Sequence, residues 1–238
     1  MAAKKPEAMK DEAGKGLPEK KTKAKVLVVD DHQIVRQGLM LLINQASDLE
    51  TCGEADNAVD ALKTIDAKSP DIAIVDISLK DTNGIELIKD IRIRHPKLLV
   101  LVLSMHDEMF YAERVLRAGA RGYVTKDDAS EKVIVAIRKV LSGEIYLSER
   151  MSARMLSKFV AGPGDTGGLP AERLSDRELE VFELLGQGMG TSQIADRLHL
   201  SIKTIESHRE NIKRKLKLEN ATELLQHAIQ WVQSGRGT

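Results

Sequence analysis

The sequence of 238 residues is long enough for two small domains, and its hydrophobic fraction of 42% is sufficient to build their cores. The single cysteine, Cys52, cannot form an internal disulfide, so nothing in the chain requires an oxidising compartment. No apolar run approaches the length of a membrane-spanning helix, and the polar, lysine-rich beginning is unlike a signal peptide. We therefore expect a cytoplasmic protein that does not contact membranes.

Basic and acidic residues balance at 36 each, but they are distributed unevenly. Residues 1–24 are rich in lysine, glutamate, alanine and glycine and lack apolar periodicity, which predicts a disordered tail. A second basic segment lies near the end of the chain and contains Arg209, Lys213, Arg214, Lys215 and Lys217. Such a cluster favours an anionic partner, although the chain as a whole is neutral.

Apolar strands alternate with helical segments between residues 25 and 145. The predicted strands cover residues 25–31, 51–55, 72–75, 98–104 and 122–124. Helical spacing of apolar residues follows each strand, over residues 34–43, 59–65, 84–93, 109–116 and 133–141. Five successive strand–helix units predict a doubly wound, flavodoxin-like α/β domain whose parallel sheet has the order 2-1-3-4-5. No G-x-G-x-x-G motif follows a strand, which disfavours dinucleotide binding.

The predicted strands end in side chains that can carry out chemistry. Asp30 and Asp31 end the first strand, Asp76 the third and Ser104 the fourth, and Lys126 follows the fifth. In this sheet order the first and third strands are neighbours, so the three carboxylates converge and require a cation. A hard ion such as Mg²⁺ suits them, while a lysine and a hydroxyl can receive an anion. The pattern predicts a phosphoryl-transfer site with Asp76 as the nucleophile.

These residues, in these places, resemble the receiver domain of two-component response regulators, and the resemblance covers residues 25–145. It implies that a histidine kinase donates a phosphoryl group to Asp76. It also implies that Asp31 and Asp76 bind Mg²⁺ directly, that Asp30 supports the metal and that Ser78 contributes its backbone carbonyl.

The same resemblance implies a conformational switch. Tyr123, on the fifth strand, would move inward when Ser104 turns toward the phosphoryl group, which would bias the face between the fourth strand and the fifth helix. A tyrosine at this position is equally compatible with an ordinary place in the core. His106, two residues after Ser104, is a candidate for positioning water beside the phosphoryl group.

Residues 146–171 are predicted to connect two domains. Residues 148–160 have the apolar spacing of a helix, which either extends the receiver or packs on the next domain. The glycine and proline content of residues 161–170 predicts a flexible linker.

Residues 172–238 predict an all-α domain of four helices. Ser175 and Glu178 form a capping box at the start of the first helix. Thr191 or Ser192 is expected to cap a short second helix, and Ser201 a long third one. The tight turn between the second and third helices predicts a helix-turn-helix whose third helix enters the major groove of DNA.

The outer face of the third helix carries the candidate DNA contacts. They are Lys203, Thr204, Glu206, Ser207, His208, Asn211, Arg214 and Lys215. The segments LSDRELEVFELL and IADRLHLSIKTIESHRENIKRKL resemble the LuxR-type helix-turn-helix of NarL/FixJ response regulators. Acids at Glu206 and Glu210 weaken non-specific attraction to phosphates, although a glutamate can accept a hydrogen bond from cytosine. In the last helix, Leu225 and Trp231 form either a dimer face or core.

We therefore expect a response regulator transcription factor rather than an enzyme. Its cognate histidine kinase would phosphorylate Asp76, and phosphorylation would control homodimerisation and binding to double-stranded promoter DNA. Two alternatives remain open. One is a DNA-binding regulator whose receiver is controlled by protein contacts without phosphorylation, and the other is a metal-dependent phosphatase, which leaves the helix-turn-helix unexplained.

Overall fold

A computed structural model describes residues 23–79, 82–161 and 173–236 of the chain. Its sheet contains five parallel strands in the order β2-β1-β3-β4-β5, as predicted. The strands are β1 (Ala24–Val29), β2 (Leu49–Ala55), β3 (Ile72–Val75), β4 (Leu99–Ser104) and β5 (Gly122–Thr125). β1 ends one residue before Asp30, so both aspartates of the first segment lie just past the strand rather than within it.

Six helices belong to the same half of the molecule. They are α1 (Gln33–Gln45), α2 (Ala58–Lys68), α3 (Gly84–Arg94), α4 (Glu108–Ala118), α5 (Ala129–Leu141) and α6 (Glu149–Ala161). Helices α1 and α5 cover one face of the sheet, and α2, α3 and α4 cover the other. Because both faces are covered, all four residues of β3 are buried, which explains its uninterrupted apolar sequence.

The loop after β3 returns very closely to the sheet. Asn83 caps α3 with its side chain, which accepts a hydrogen bond from the backbone N–H of Ile85. A Cβ atom on Gly84 would lie 1.9 Å from the backbone oxygen of Asp76, so only glycine fits at the first residue of α3. This contact fixes the backbone on the carboxyl side of Asp76.

Helix α6 extends the first half of the molecule and packs on α4. The Lys158 ammonium lies 2.7 Å from a Glu113 carboxylate oxygen, and Arg154 donates a hydrogen bond of 3.4 Å to the backbone oxygen of Met109. At the start of α6, the backbone N–H of Ser148 donates to Glu108 over 2.9 Å. Of the two predicted positions for this helix, the structure has the first.

The second half consists of α7 (Asp176–Gly186), α8 (Thr191–Arg197), α9 (Ile202–Leu216) and α10 (Ala221–Arg236). The predicted capping box of Ser175 and Glu178 is present at α7. The predicted cap of α8 is wrong, because Gly190 is the N-cap and Thr191 already lies within the helix. Gly190 has no side chain to cap the first turn, and the Gln193 side chain reaches back to accept a hydrogen bond of 2.8 Å from the N–H of Gly190.

A close approach of two helices holds the second half together. A Cβ atom on Gly186 would lie 2.3 Å from the backbone oxygen of Ala228, so α7 and α10 touch where a side chain would not fit. Ile205 and Ile212 of α9 are fully buried in the same core. None of the described helices is long and apolar enough to cross a bilayer. The predicted tail (1–24) and linker (161–170) lie outside the described residues, apart from Lys23, Ala24 and Ala161.

Candidate functional site

Three charged side chains meet at the carboxyl ends of β1, β3 and β5. The ammonium of Lys126 lies 2.6 Å from Oδ2 of Asp76 and 2.6 Å from Oδ2 of Asp30. Strands β1 and β3 are neighbours in the sheet, which brings the two carboxylates together. Both are almost fully buried. Removing the lysine would leave two unpaired carboxylates out of water, an arrangement that costs several kcal/mol, on the order of 3–5.

The carboxylates also form a group that can hold a cation. One ligand atom from each of Asp30, Asp31, His32 and Asp76 lies within 4.8 Å of the others. Oδ1 of Asp76 is buried and accepts no hydrogen bond from the described part of the chain. A buried anionic oxygen without a donor is costly unless a cation binds it, so the residues fit a hard, oxygen-seeking metal ion.

His32 is a member of this group that the sequence reasoning missed. Its Nδ1 atom lies 2.7 Å from Oδ1 of Asp31, and its side chain is largely exposed. Adjacency to the aspartate pair was the signal that could have identified it.

Burial and charge act in opposite directions on the buried pair. Burial raises the pKa of Asp76, and Asp30 adds to that effect, whereas Lys126 lowers it, and the net shift is upward. Burial lowers the pKa of Lys126, but the two carboxylates outweigh burial and raise it above its ordinary value. The lysine therefore remains a cation at neutral pH and supplies a fixed positive charge beside Asp76.

Ser104 and Tyr123 lie next to this group in the interior. Ser104 is fully buried at the end of β4, and its hydroxyl oxygen accepts a hydrogen bond of 3.3 Å from the backbone N–H of His106. Tyr123 is also buried, and its hydroxyl donates to the backbone oxygen of His106 over 2.8 Å. Burial raises the pKa of Tyr123 well above its usual value, so the hydroxyl keeps its proton. Both side chains thus hold the backbone of His106.

The side chain of His106 joins the two halves of the molecule. Its Nε2 atom lies 2.9 Å from the hydroxyl of Ser78, and its Nδ1 atom lies 2.6 Å from Oε2 of Glu183 on α7. The Ser78 hydroxyl donates its one hydrogen to Glu180, over 3.0 Å, so it must accept from the imidazole. These contacts fit a ring that donates from both nitrogens, which is the imidazolium form.

The electrostatics of the ring agree with this assignment. Burial lowers the pKa of His106, but hydrogen bonding and attraction to Glu183, together with Glu180 and Asp76, outweigh burial and raise the pKa. The ring also packs against Tyr111, with ring centroids 4.5 Å apart.

Two carboxylates of α7 complete the wall of the pocket. Glu180 has no exposed surface and also accepts from Asn83 over 3.3 Å and from Arg177 over 2.7 Å. Glu183 also accepts from the hydroxyl of Tyr111 over 2.9 Å. A cavity of about 340 Å³ is lined by residues of both halves, including Asp76, Lys126 and both glutamates. The phosphoryl-transfer site predicted for one domain is therefore enclosed by two.

The sequence reasoning missed these glutamates. They lie three residues apart in a helix whose apolar residues form a core, so their spacing indicates an ordinary solvated face. Their burial depends on where the second half docks, which no local pattern contains.

Helix α9 presents the predicted DNA-contacting residues unequally. Lys203, Glu206, Ser207 and Arg214 are exposed, whereas Thr204, His208, Asn211 and Lys215 are partly buried. The ammonium of Lys215 lies 2.6 Å from Oε2 of Glu178 on α7, so this lysine is already paired within the domain. Arg214 donates to the side-chain oxygen of Asn211 over 2.8 Å.

Comparison with known proteins places both halves in one family. The family model described as the response regulator receiver domain matches residues 26–138, and that of bacterial regulatory proteins, luxR family, matches residues 172–228. The oxygen regulatory protein NreC of Staphylococcus carnosus (strain TM300) is 34% identical over 209 residues, covering 86% of this chain and 96% of NreC. The chain belongs to the NarL/FixJ family of two-component response regulators.

Solved structures of similar response regulators include complexes with DNA. RcsB from Salmonella enterica serovar Typhimurium, bound to promoter P1flhDC in the presence of the phosphomimetic BeF3-, is 30% identical, with a TM-score of 0.59 and coverage of 88% of this chain and 100% of that chain. A structure of two RcsB dimers bound to two parallel DNAs is 30% identical, with a TM-score of 0.54 and coverage of 87% and 98%. This response regulator accordingly combines a receiver domain with a LuxR-type DNA-binding domain, the architecture of a transcription regulator.

Within the receiver domain of this response regulator, most of the predicted site residues lie together. One charged group contains Asp30, Asp31, Asp76 and Lys126. The backbone of His106, next to this group, is hydrogen-bonded by the side chains of Ser104 and Tyr123. The side chain of Ser78 contacts His106 and Glu180, and the predicted role of its backbone carbonyl stays a prediction. The predicted DNA contacts form a separate site on α9.

Proposed function

We propose that this response regulator accepts a phosphoryl group on Asp76 from a cognate histidine kinase, in a reaction that depends on Mg²⁺. The observation that supports this assignment is a buried carboxylate with one oxygen held by Lys126 and the other without a hydrogen-bond donor among the described residues. One oxygen of this carboxylate is the nucleophile, and the other would bind the metal. The nucleophilic oxygen forms a bond to phosphorus as the bond from phosphorus to the kinase histidine breaks, which leaves an acyl phosphate on Asp76.

Asp31, Asp76 and the backbone carbonyl of Ser78 would hold the metal, and Asp30 would support it. When bound, Mg²⁺ neutralises the charge of the transferring group and of the converging carboxylates. Lys126 stays protonated and pairs with the oxygens of the phosphoryl group. The Ser104 hydroxyl, which now accepts from the N–H of His106, turns to donate to the same oxygens.

Phosphorylation then controls dimerisation and sequence-specific binding to double-stranded promoter DNA in the cytoplasm. The rearrangement of Ser104 and Tyr123 passes to α4, which contacts the DNA-binding domain. Recognition helix α9 reads the major groove, and we assign to bases Lys203, Thr204, Glu206, Ser207, His208 and Asn211. Arg214 faces phosphates, and Lys215 does so once it exchanges its pairing with Glu178 for a phosphate oxygen. The RcsB structures, in which dimers are bound to DNA, support a homodimer as the active form.

Labelling with acetyl phosphate tests the assignment of Asp76. The full-length protein with Mg²⁺ should take up one phosphoryl group, and Asp76→Asn should take up none. Asp90→Asn, an exposed aspartate on α3, is the matched control and should label as wild type does. Equal labelling of Asp76→Asn and wild type would refute the assignment. DNA binding controlled without any phosphoryl uptake would favour regulation by protein contacts.

A further inference from the structure

Helix α6 has apolar residues on two sides, and the receiver covers only one of them. Met151 is buried and Met155 partly buried on the side that packs on α4. On the other side, Leu156, Phe159 and Val160 are 66%, 86% and 84% exposed. A single exposed hydrophobic residue is ordinary, but these three lie within little more than one helical turn and form a continuous patch. Such a patch indicates a surface that another molecule covers.

The exposed side has the spacing of a coiled-coil seam. Ala153, Leu156 and Val160 follow one another at intervals of three and four residues, which is the a-d-a pattern of a heptad. Leucine at d with a β-branched residue at a favours two parallel helices. Ser152 and Ser157 flank the seam at g and e, the positions that face each other in a parallel pair, and neither is charged. This side of α6 therefore suits a second copy of the same helix.

The charged side chains of α6 lie beside or outside this seam. Lys158 pairs with Glu113 of α4, and Arg154 donates to a backbone oxygen of the same helix, so both point to the covered side. Glu149 is the exception, because it occupies the preceding d position. In a parallel pair the two Glu149 carboxylates would face each other and repel, which limits the seam to residues 153–160.

We propose that α6 is the dimerisation helix of this response regulator, and that two copies pack in parallel through Ala153, Leu156 and Val160 around a two-fold axis. The contact is isologous, so each of these residues meets its own counterpart. The proposal rests on the homodimer proposed above and names the surface through which its two receivers meet.

The position of α6 in the chain agrees with this arrangement. Paired helices lie about 8–10 Å apart, and in a parallel pair both chains leave at the same end, close to the axis. The eleven residues 162–172 lead from there to the DNA-binding domain, and a chain of that length spans at most roughly 36–40 Å. Half-sites one turn of DNA apart lie about 17 Å from the axis on either side. Both DNA-binding domains can therefore reach one operator from a single pair of α6 helices.

The size of the patch predicts a weak dimer in the absence of DNA. Apolar patches of this kind measure on the order of 300–600 Å², whereas a stable interface buries roughly 800 Å² on each partner. When both DNA-binding domains occupy one duplex, the contact between the α6 helices becomes intramolecular, at an effective concentration on the order of 1 mM. The helices then pair although two free copies associate only weakly.

Sedimentation equilibrium of the full-length protein, treated with acetyl phosphate and Mg²⁺, tests the seam. Leu156→Lys places two like charges at d, and we expect dimerisation to weaken roughly tenfold or more. Glu149→Gln removes the repulsion at the preceding d position and should strengthen dimerisation. Leu41→Lys is the matched control, because Leu41 of α1 is also a leucine with 66% exposure, and it should associate as wild type does. Equal association of Leu156→Lys and wild type would overturn the proposal, as would a loss confined to Leu41→Lys.

Disulfide cross-linking identifies the surface directly. In a Cys52→Ser background, Val160→Cys treated with oxidised glutathione should form a covalent dimer, and Leu41→Cys should not. A Val160→Cys protein that sediments as a dimer without cross-linking would also overturn the proposal. The substituted side chains are exposed, so neither variant removes a core contact. A wild type that stays monomeric after phosphorylation would instead refute the homodimer of the proposed function, whereas a dimer insensitive to Leu156→Lys would overturn only the assignment to α6.

Discussion

The imidazole Nδ1 of His106 lies 2.6 Å from Oε2 of Glu183, and this contact joins the loop after β4 of the receiver to α7 of the DNA-binding domain. Both side chains are nearly buried, so neither charge has water as an alternative partner. A charge pair in such a place is costly to break from one side only, since the remaining charge stays desolvated. The contact therefore makes the position of one domain depend on the state of the other.

Replacing His106 should open the interface more than replacing Tyr111. His106→Ala leaves Glu183 buried without its cation, which we expect to cost about 3–5 kcal/mol of docking free energy. Tyr111→Phe removes one hydrogen bond to the same carboxylate and should cost about 1.5–3 kcal/mol. Limited proteolysis of the segment between the domains, followed by mass spectrometry, measures the opening. Equal cleavage of both variants would contradict this ranking.

Lys126 should be a larger contributor to stability than any exposed lysine of the receiver. Lys126→Ala leaves the carboxylates of Asp30 and Asp76 facing each other out of water, so we expect unfolding to become easier by about 3–5 kcal/mol. Mg²⁺ should recover part of this loss, because it binds the same carboxylates. Urea unfolding with and without Mg²⁺ measures both effects.

Lys132→Ala is the control for that experiment, because its ion pair with Asp128 is solvent exposed. An exposed pair of this kind contributes only about 0–1 kcal/mol. A Lys126→Ala protein as stable as Lys132→Ala would show that the two buried carboxylates are compensated by another group.

The single tryptophan should report domain opening. Trp231 of α10 stacks on Phe110 of α4, with ring centroids 3.8 Å apart, and also contacts Phe182 of its own domain. Phosphorylation by acetyl phosphate should move the indole toward water and shift its fluorescence emission to longer wavelength. Phe110→Ala should show the same shift before any phosphoryl group is added. An unchanged emission spectrum on phosphorylation would mean that the α4–α10 contact persists in the active form.

The receiver was predictable from the sequence because its strands, helices and site residues are recognisable within short segments of the chain. The apolar run before Asp76 identifies a buried parallel strand, and in the flavodoxin-like order 2-1-3-4-5 the first and third strands are neighbours, which brings Asp30 and Asp76 together. The interface was not predictable for the opposite reason. Glu180 and Glu183 have the spacing of a solvated helix face, and only the docking of two separately patterned domains places them beside Asp76.

Stability of the DNA-binding domain should decrease in acid through Glu178. Burial raises the pKa of this carboxyl, but hydrogen bonds from Lys215 and Ser175 outweigh burial and hold it below the usual value. A lowered pKa in the folded state contributes stability above the unfolded value of about 4.3, and this contribution is lost as the pH falls through the folded value. Glu178→Gln should be about 1–2 kcal/mol less stable than wild type at pH 7, with a smaller difference below about pH 4.

Urea unfolding followed by Trp231 fluorescence measures this difference at each pH. Glu206→Gln, an exposed glutamate on α9, is the matched control and should follow wild type throughout. A difference between Glu178→Gln and wild type that stays constant from pH 7 to pH 3.5 would assign the loss to packing rather than to ionisation.

Arg214 should contribute to DNA affinity without contributing to sequence preference. It is exposed in the last turn of α9, within the basic cluster, where a cation meets phosphate oxygens rather than base edges. Arg214→Ala should weaken binding to promoter and random duplexes by the same factor and should reduce the slope of log affinity against log salt by about 1. Lys203→Ala, at the start of the same helix, should instead weaken promoter binding more than random binding. Fluorescence anisotropy titrations from 50 to 200 mM salt distinguish a phosphate contact from a base contact. If Arg214→Ala lost about 1–3 kcal/mol of discrimination between promoter and random duplexes, its side chain would contact a base instead.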